Sequence, residues 1–279
     1  MKQQIFGFDA YAPAEIAERV QKVCVIKAHM PLLTMWMLAM LAGAFIGLGA
    51  LFFTLVASDH SLGFASSRVL GGVCFSLGLI LVVVAGAELF TGNNLLVMAW
   101  AEGCLSTRDV LRDWAIVGAG NFVGAAGLAV IVYLSGYGAL NQGEVARTAV
   151  QIAAAKCVLP FWEAFFRGVL CNVLVCMAVW MAMAGRSVVD KAVAIIFPIA
   201  AFVAAGFEHS IANMYFIPLG MLLRDGLATP VPGAELIGWI GMIRNLVPVI
   251  LGNLMGGSVL VALVYHLIYR RGAMRLPPG

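Results

Sequence analysis

The sequence predicts an all-α integral membrane protein with six transmembrane helices, arranged as two inverted repeats of three. Of its 279 residues, 62% are hydrophobic and 11% are charged, whereas roughly a quarter are charged in soluble domains. Six apolar segments are long enough to cross the hydrocarbon, which takes about 20 helical residues. The predicted spans are 31–56, 68–101, 111–136, 158–184, 191–223 and 245–269.

The residues before the first span predict a cytoplasmic amphipathic helix. It opens at Pro13, because proline is favoured in a first helical turn, and Ile16, Val20 and Val23 share one face. Two roles stay open, a gate beneath a path through the membrane and an interfacial anchor, and the pattern alone favours the anchor. The predicted domains are this segment (1–30), the six-span domain (31–271) and a cytoplasmic tail (272–279).

The second and fifth spans are too long for single helices. Each exceeds 30 residues, and a straight helix of that length would overshoot the bilayer by several turns. Each also contains a polar interruption, AGAELFTGNN at 85–94 and AGFEHSIAN at 205–213. We therefore predict that both helices break near the middle of the membrane.

Two motifs recur between the halves of the chain. Ala85, Gly86, Glu88 and Asn93 recur 120 residues later as Ala205, Gly206, Glu208 and Asn213. Gly120-Asn121-x-x-Gly124 recurs 132 residues later as Gly252-Asn253-x-x-Gly256. Since three spans are followed by three related spans, the second half enters from the opposite side, and the two breaks meet at the midplane.

The distribution of basic residues predicts the orientation. Of 17 Lys and Arg, eleven lie in the termini and in the second and fourth loops. The positive-inside rule therefore places both termini in the cytoplasm. The net charge of +3 is dispersed over the loops, which argues against nucleic acid as a partner. The start of the chain has no pattern of a removable signal peptide.

The polar residues of the breaks predict an electropositive centre. Five are of types that cap a helix start: Thr91, Asn93, Asn94, Ser210 and Asn213. Each new half-helix would bring about half a positive charge to the midplane, which favours an anion there. Glu88 and Glu208 are expected to accept hydrogen bonds from the broken backbone, because an isolated carboxylate in hydrocarbon is costly.

His209 is the only histidine predicted deep within a span. Burial disfavours its charged form and a nearby anion favours it, so His209 is a candidate proton donor; a structural hydrogen-bond donor is the alternative. Neither a second histidine nor a thiolate has ligand spacing to it, so we expect no metal and no cofactor. The six cysteines contain no C-x-x-C pair and are expected to be buried thiols.

Three further features each allow two interpretations. Lys156, placed in an outer loop before span four, either draws anions towards a vestibule or is simply solvated. Phe75, Leu79 and Phe202 either form a dry constriction or only pack. Glu163 and Arg167, four residues apart in the orientation of a helical ion pair, form either a local or a subunit contact.

Five stretches together resemble the formate/nitrite transporter family of bacterial anion channels. They are AELFTGNN, GFEHSIANM, GRSVVDKA, NLVPVILGN and the glycine pair at 256–257. The resemblance extends from the N-terminal helix to about residue 271. It implies an aquaporin-like protomer, assembled as a homopentamer in the bacterial inner membrane, that moves small monovalent acids such as formate, nitrite, hydrosulfide, acetate or lactate.

The resemblance also implies roles for individual residues. His209 matches the central histidine, and Thr91 matches the loop threonine that hydrogen-bonds it. The other matched positions are the outer constriction (Phe75, Leu79, Phe202), the inner constriction (Leu89, Val175), and the vestibule and pore lining (Lys156, Asn172).

The sequence therefore predicts a channel for small monovalent anions, formate foremost, with proton transfer at the histidine as one possible step. A nitrite or hydrosulfide channel of the same family is the first alternative. A neutral-solute channel of aquaporin type is less favoured, because neither break carries Asn-Pro-Ala. An intramembrane enzyme using Glu208, His209 and a cysteine lacks a complete catalytic set.

Overall fold

The computed structural model describes residues 10–269, and among these residues every regular element is helical. The α-helices are α1 (Pro13–Ala28), α2 (Leu32–Ala57), α3 (Phe64–Ala85), α4 (Leu96–Ala101), α5 (Thr107–Leu134), α6 (Glu144–Cys157), α7 (Phe161–Ala184), α8 (Val188–Ala205), α9 (Ser210–Leu223), α10 (Trp239–Leu254) and α11 (Val264–Tyr269). A 3₁₀ turn, Gly92–Leu95, precedes α4, and a π-helix, Met255–Leu263, joins α10 to α11. The predicted tail at 272–279 lies outside the described residues.

Six helical segments are long and apolar enough to cross a membrane, as the sequence predicts. They are α2, α3, α5, α7, α8 and the continuous run Trp239–Tyr269. The predicted N-terminal helix is also present, and it begins at Pro13. The bounds of the four unbroken spans agree with prediction to within six residues, because long apolar runs largely determine where a membrane helix begins and ends. The inversion of the second repeat stays a prediction.

Both predicted breaks are present, and glycine ends the helix before each one. Gly86 and Gly206 adopt left-handed backbone conformations, with φ of +83° and +75°. The turn after Gly86 closes by a hydrogen bond from Ala87 N to Val82 O (2.9 Å), and the turn after Gly206 closes by one from Phe207 N to Phe202 O (3.0 Å). Glycine is the residue that tolerates this conformation without a steric penalty.

One helix was not expected. Residues 144–157 fall in a predicted loop but form α6, which packs against α9. Because α6 has only 14 residues, it is too short to be recognised as a span, although its apolar face is buried. Lys156 therefore lies in the last turn of a packed helix and not in a solvated loop. α1 packs against α4 in the other half.

Glycines bring the backbones of neighbouring helices into contact. A Cβ added to Gly124 on α5 would lie 1.8 Å from Met40 O on α2, and one added to Gly252 on α10 would lie 2.1 Å from Phe165 O on α7. Small residues allow such close approach, which supplies packing energy where lipid removes the usual hydrophobic driving force. The repeated Gly-Asn-x-x-Gly motif thus fixes one helix pair in each half.

Candidate substrate path

His209 lies at the junction of the two breaks and begins the half-helix α9. Its Nδ1 accepts a hydrogen bond from Ala212 N (3.1 Å), so the imidazole caps the helix. Its Nε2 lies 2.9 Å from Thr91 Oγ1. Because Nδ1 is the acceptor, the neutral ring carries its proton on Nε2 and donates it to Thr91. Only 3% of the histidine is exposed.

The cap prediction was wrong in detail. Ser210 is the first residue of α9, but its Oγ has no hydrogen-bond partner, and His209 supplies the cap. Thr91 does not cap the 3₁₀ turn, since its hydroxyl faces His209. Asn94 donates its amide to Phe90 O (2.7 Å) instead of accepting from a helix start. The sequence did not predict this cap, because histidine is not among the residue types that are preferred at the start of a helix.

Asn172 fixes the wall of the path behind Thr91. Its Nδ2 donates to Thr91 O (3.3 Å) and to Asn253 O (2.8 Å), which links α7 to the first break and to α10. The Cys176 thiol also approaches Thr91 O, at 3.4 Å. Asn172 is fully buried and its Oδ1 is unpartnered. The threonine therefore has a fixed backbone and a side chain directed to the histidine.

A small central chamber of about 10 Å³ lies beside His209. This volume is close to that of one water-sized probe. Apart from the histidine, its wall is entirely apolar: Ile46, Phe75, Leu79, Leu89, Val175, Ile199 and Phe202. A charged solute that entered it would lose almost all of its hydration and gain a single polar side chain.

Two larger cavities flank the chamber. We call the first, of about 200 Å³, the Lys156 cavity; it also contacts Phe75, Phe202 and His209. The second, of about 210 Å³, is the Lys27 cavity, which shares Leu79 and Leu89 with the chamber. The Lys27 cavity is thus separated from the chamber by apolar side chains alone, whereas the Lys156 cavity shares His209 with the chamber as well as the two phenylalanines.

The constriction residues are arranged somewhat differently from the expectation. The rings of Phe75 and Phe202 meet edge to face, with centroids 5.6 Å apart, between the chamber and the Lys156 cavity. Leu79, expected in the same constriction, lines the chamber and the Lys27 cavity. Val175 lines the chamber alone. Leu79 lies one helical turn beyond Phe75 on α3, which accounts for its position closer to Leu89.

Lys156 is not a free vestibule charge. Its Nζ lies 3.0 Å from Glu208 Oε1, with exposed side-chain fractions of 13% and 6%. Glu208 also accepts from Asn213 Nδ2 (2.6 Å), and the Asn213 amide donates in turn to Asn245 Oδ1 (2.7 Å). Neither interpretation of Lys156 anticipated a buried pair, because α6, which carries the lysine inwards, was missed.

The first half repeats this network with different elements. Lys27 Nζ on α1 lies 3.2 Å from Glu88 Oε2, and Asn93 Nδ2 donates to Glu88 (2.8 Å) and to Asp113 (2.9 Å). Both glutamates were expected to bind broken backbone, but the partners recorded for their carboxylates are side chains. Buried carboxylates need such partners because desolvation removes their water.

The backbone at the breaks is held by two asparagines, for which the sequence predicted no role beyond membership of the repeated motif. Asn121 donates to Ala39 O and Glu88 O and accepts from Phe90 N, at 2.7–2.9 Å. Asn253 donates to Gly168 O and Glu208 O and accepts from Ser210 N, at 2.8–3.0 Å. The signal was present in the sequence, since both occupy the same place in the repeated Gly-Asn-x-x-Gly motif.

The remaining predicted pair is confirmed: Arg167 Nη2 lies 3.3 Å from Glu163 Oε2. Within residues 10–269 no group of three His, Cys, Asp or Glu is placed to hold a metal ion. Cys24 lines the Lys27 cavity, and burial raises its pKa to about 12. It is therefore a thiol at neutral pH and not a reactive thiolate.

Six spans, two broken helices, and a cavity, chamber, cavity series around one histidine define a multi-pass membrane protein of the channel type. A model of the formate/nitrite transporter family matches residues 14–267. The chain belongs to that family. It is similar to the formate channel FocA of Escherichia coli (strain K12), at 39% identity over 274 residues, covering 95% of this chain and 96% of that protein.

Two further similar proteins also have formate in their names. A probable formate transporter of Methanothermobacter thermautotrophicus is 36% identical over 282 residues, covering 94% of this chain and 98% of the relative. A solved pentameric formate channel with formate bound aligns with a TM-score of 0.79 at 37% identity, covering 85% of this chain and 97% of that one. The similarity extends over nearly the whole length of each protein.

Proposed function

We propose that the protein is a channel for small monovalent anions, with formate as its principal substrate. The observation that supports this proposal most directly is the central chamber, whose one polar lining side chain is His209. Apolar residues line the rest of the chamber and form its two constrictions. Formate is the substrate named for the Escherichia coli and Methanothermobacter relatives. The function is transport and not catalysis.

The path has three steps. An anion enters one cavity, sheds water at the adjacent apolar constriction and meets His209 in the chamber. The N-terminus of α9 contributes about half a positive charge at this point, which stabilises an anion without a buried cation. The solute then leaves through the opposite constriction.

From the chamber, the solute crosses the second constriction as the neutral acid. A protonated His209 transfers a proton to formate, which gives formic acid and a neutral imidazole. A neutral solute avoids most of the cost of placing charge in an apolar slit. Protonation of His209 requires Nδ1 to release the Ala212 amide, because an N–H cannot accept a hydrogen bond. Charging the histidine and uncapping α9 are therefore one event.

The setting of the channel is part of the proposal. We place it in the bacterial inner membrane as a homopentamer, each protomer with its own path, and with both termini in the cytoplasm. The solved pentameric relative supports the assembly, and the Lys and Arg distribution supports the orientation. The Lys27 cavity then faces the cytoplasm and the Lys156 cavity the outside.

His209→Asn tests the central role with little disturbance of the fold. Asparagine is a strong helix cap, so α9 keeps its first hydrogen bond while the titratable group is lost. In liposomes, wild-type formate flux should rise as pH falls. The variant should lose this pH dependence, and its formate flux at acidic pH should fall at least about tenfold. It should also conduct anions that do not take up a proton, such as chloride.

His60→Asn is the matched control, since His60 is exposed and pairs with Glu144 away from the path. It should behave as wild type. Unchanged flux, pH dependence and selectivity in His209→Asn would sink the proposed role of the histidine. Side-by-side flux of formate, nitrite and hydrosulfide would rank the substrates. Faster water or glycerol flux than formate flux would favour a neutral-solute channel.

A further inference from the structure

Two guanidinium groups distinguish the Lys156 cavity from the Lys27 cavity. Lys156 with Glu208, and Lys27 with Glu88, form one ion pair in each cavity. Arg68 and Arg167 also line the Lys156 cavity, whereas no further charged side chain of the described residues lines the other. Because each Lys–Glu pair cancels its own charge, excess positive charge is left in the Lys156 cavity alone.

Arg68 is held with its guanidinium towards the second break. Its Nε donates to Ala204 O (3.0 Å) at the end of α8. The terminal Nη2 reaches Gly206, where an added Cβ would lie only 2.8 Å away. The glycine thus leaves open the space that the guanidinium occupies. Because Nε makes this hydrogen bond, the two Nη groups at the forked end of the side chain are the donors left for an anion.

Arg167 reaches the same cavity from α7. Its backbone oxygen accepts from Glu208 N (3.2 Å), so its main chain is fixed beside the second break. Its side chain is 44% exposed and contacts Glu163 through Nη2 at 3.3 Å. Glu163 does not line the cavity, and an exposed pair of this kind is weak. Most of the guanidinium's donors are therefore free to meet an anion.

The walls between these groups strengthen their field. The cavity is lined by Phe53, Phe75, Phe202, Phe207 and Phe216, and low-dielectric walls focus the potential of nearby charges. Guanidinium groups match a planar, two-oxygen anion through paired N–H donors, which a spherical anion cannot use. We propose that Arg68 and Arg167 form a capture site for planar oxyanions, which sets the affinity for substrate entering through the Lys156 cavity.

This inference rests on the proposed function and adds a direction to it. The Lys156 cavity is the one placed outside by the positive-inside rule. A capture site there lowers the outside formate concentration at which uptake is half-maximal, while the direction of net flux is still set by the formate gradient. The channel is then suited to scavenging a dilute oxyanion from the medium, although the path itself conducts in both directions.

The test compares the Arg68→Gln/Arg167→Gln double variant with wild type in sealed vesicles of known orientation. The formate concentration that gives half-maximal influx through the Lys156 cavity should rise about tenfold, with maximal flux within about twofold. Half-maximal efflux from the opposite side should not change. Hydrosulfide influx should weaken less, because it cannot engage the forked donors. High salt should reduce the difference in half-maximal formate concentration between wild type and variant, because it screens the charges of the arginines.

Two variants serve as controls. Arg244→Gln removes an exposed arginine of α10 that lines none of the described cavities, and should match wild type. The Arg68→Lys/Arg167→Lys variant keeps both charges, so it should recover hydrosulfide influx but not the formate affinity. An unchanged half-maximal concentration in the Gln variant, or an equal rise in Arg244→Gln, would overturn the capture site.

A direct binding measurement separates this inference from the proposed function. Formate should raise the melting temperature of the purified wild-type protein, and this stabilisation should be lost in the double Gln variant. Wild-type vesicles without formate flux would refute the proposed function, yet a formate-dependent shift lost in the variant would still support the capture site. Equal shifts in both proteins would contradict it.

Discussion

In the mechanism we propose, His209 combines a structural and a chemical task in one imidazole. Nδ1 caps α9 and Nε2 reaches Thr91, so both nitrogens are engaged in the neutral state. A residue that only capped the helix would not need to titrate, and a free titrating residue would leave the Ala212 amide unpaired. The consequence is that the protonation state of the path is linked to the first turn of a half-helix.

Thr91→Val removes the partner of Nε2 while keeping nearly the same volume. A buried N–H left without an acceptor costs about 1–3 kcal/mol, so the variant should unfold at lower temperature in detergent and carry less formate. Thr91→Ser keeps the hydroxyl and serves as the control. If valine and serine variants matched in stability and flux, the hydrogen bond would have no role.

Asp113 is a position at which the two halves differ in chemistry. It is fully buried, accepts from Asn93, and its Oδ2 has no partner. Asn245 fills the same place in the second half and donates its amide to Lys156 O (2.9 Å). The first half thus has a carboxyl where the second has an amide.

Asp113→Asn should therefore stabilise the protein by about 1 kcal/mol. The new amide keeps the acceptor for Asn93, replaces the orphaned oxygen with a donor, and removes a carboxylate from the neighbourhood of Glu88. Thermal unfolding in detergent measures the change. Asp113→Ala, which removes both oxygens, should destabilise it. A lower melting temperature for the Asn variant would show that the carboxyl is needed as such.

At the scale of elements, the breaks depend on how each helix ends. α3 and α8 both end at a left-handed glycine, and both broken segments are tied by an asparagine from a neighbouring span. The chain therefore does not merely lose helical structure at the midplane. At each break, the non-helical backbone is held in place by an asparagine of a neighbouring helix, Asn121 at the first break and Asn253 at the second.

Gly86→Ala and Gly206→Ala should destabilise the protein unequally. Either alanine in a left-handed conformation costs about 1–2 kcal/mol. At Gly86 nothing lies within 4 Å of the added Cβ, whereas at Gly206 it meets Arg68 at 2.8 Å. Gly206→Ala should therefore have the lower melting temperature and also the weaker formate affinity from the Lys156 side. Equal effects would contradict this assignment.

The spans and the breaks could be predicted from sequence because they depend on local hydropathy and length. α6 was missed because 14 residues fall below the length of a span. The hydrogen bonds of Asn121 and the pairing of Lys27 with Glu88 were missed for another reason. Their partners lie 31 residues or more away in the chain, and sequence spacing carries no information about such contacts.

Across the whole molecule, the two halves repeat one network and differ in their charge. Each half holds a Lys–Glu pair, an asparagine that donates to the glutamate of that pair, and a second asparagine that binds the backbone of the break. Two arginines in one cavity and Asp113 in the other half break this likeness. In the function we propose, the repeated network therefore belongs to a path with unequal entrances.

The central claim is that formate crosses the chamber as the neutral acid through His209. The direct measurement records formate influx and internal pH together in liposomes, with wild type and His209→Asn compared. We predict that wild-type influx acidifies the lumen in step with formate, because formic acid releases its proton inside, and that the variant uncouples the two. Wild-type formate influx that leaves internal pH unchanged and builds up a membrane potential would contradict the claim.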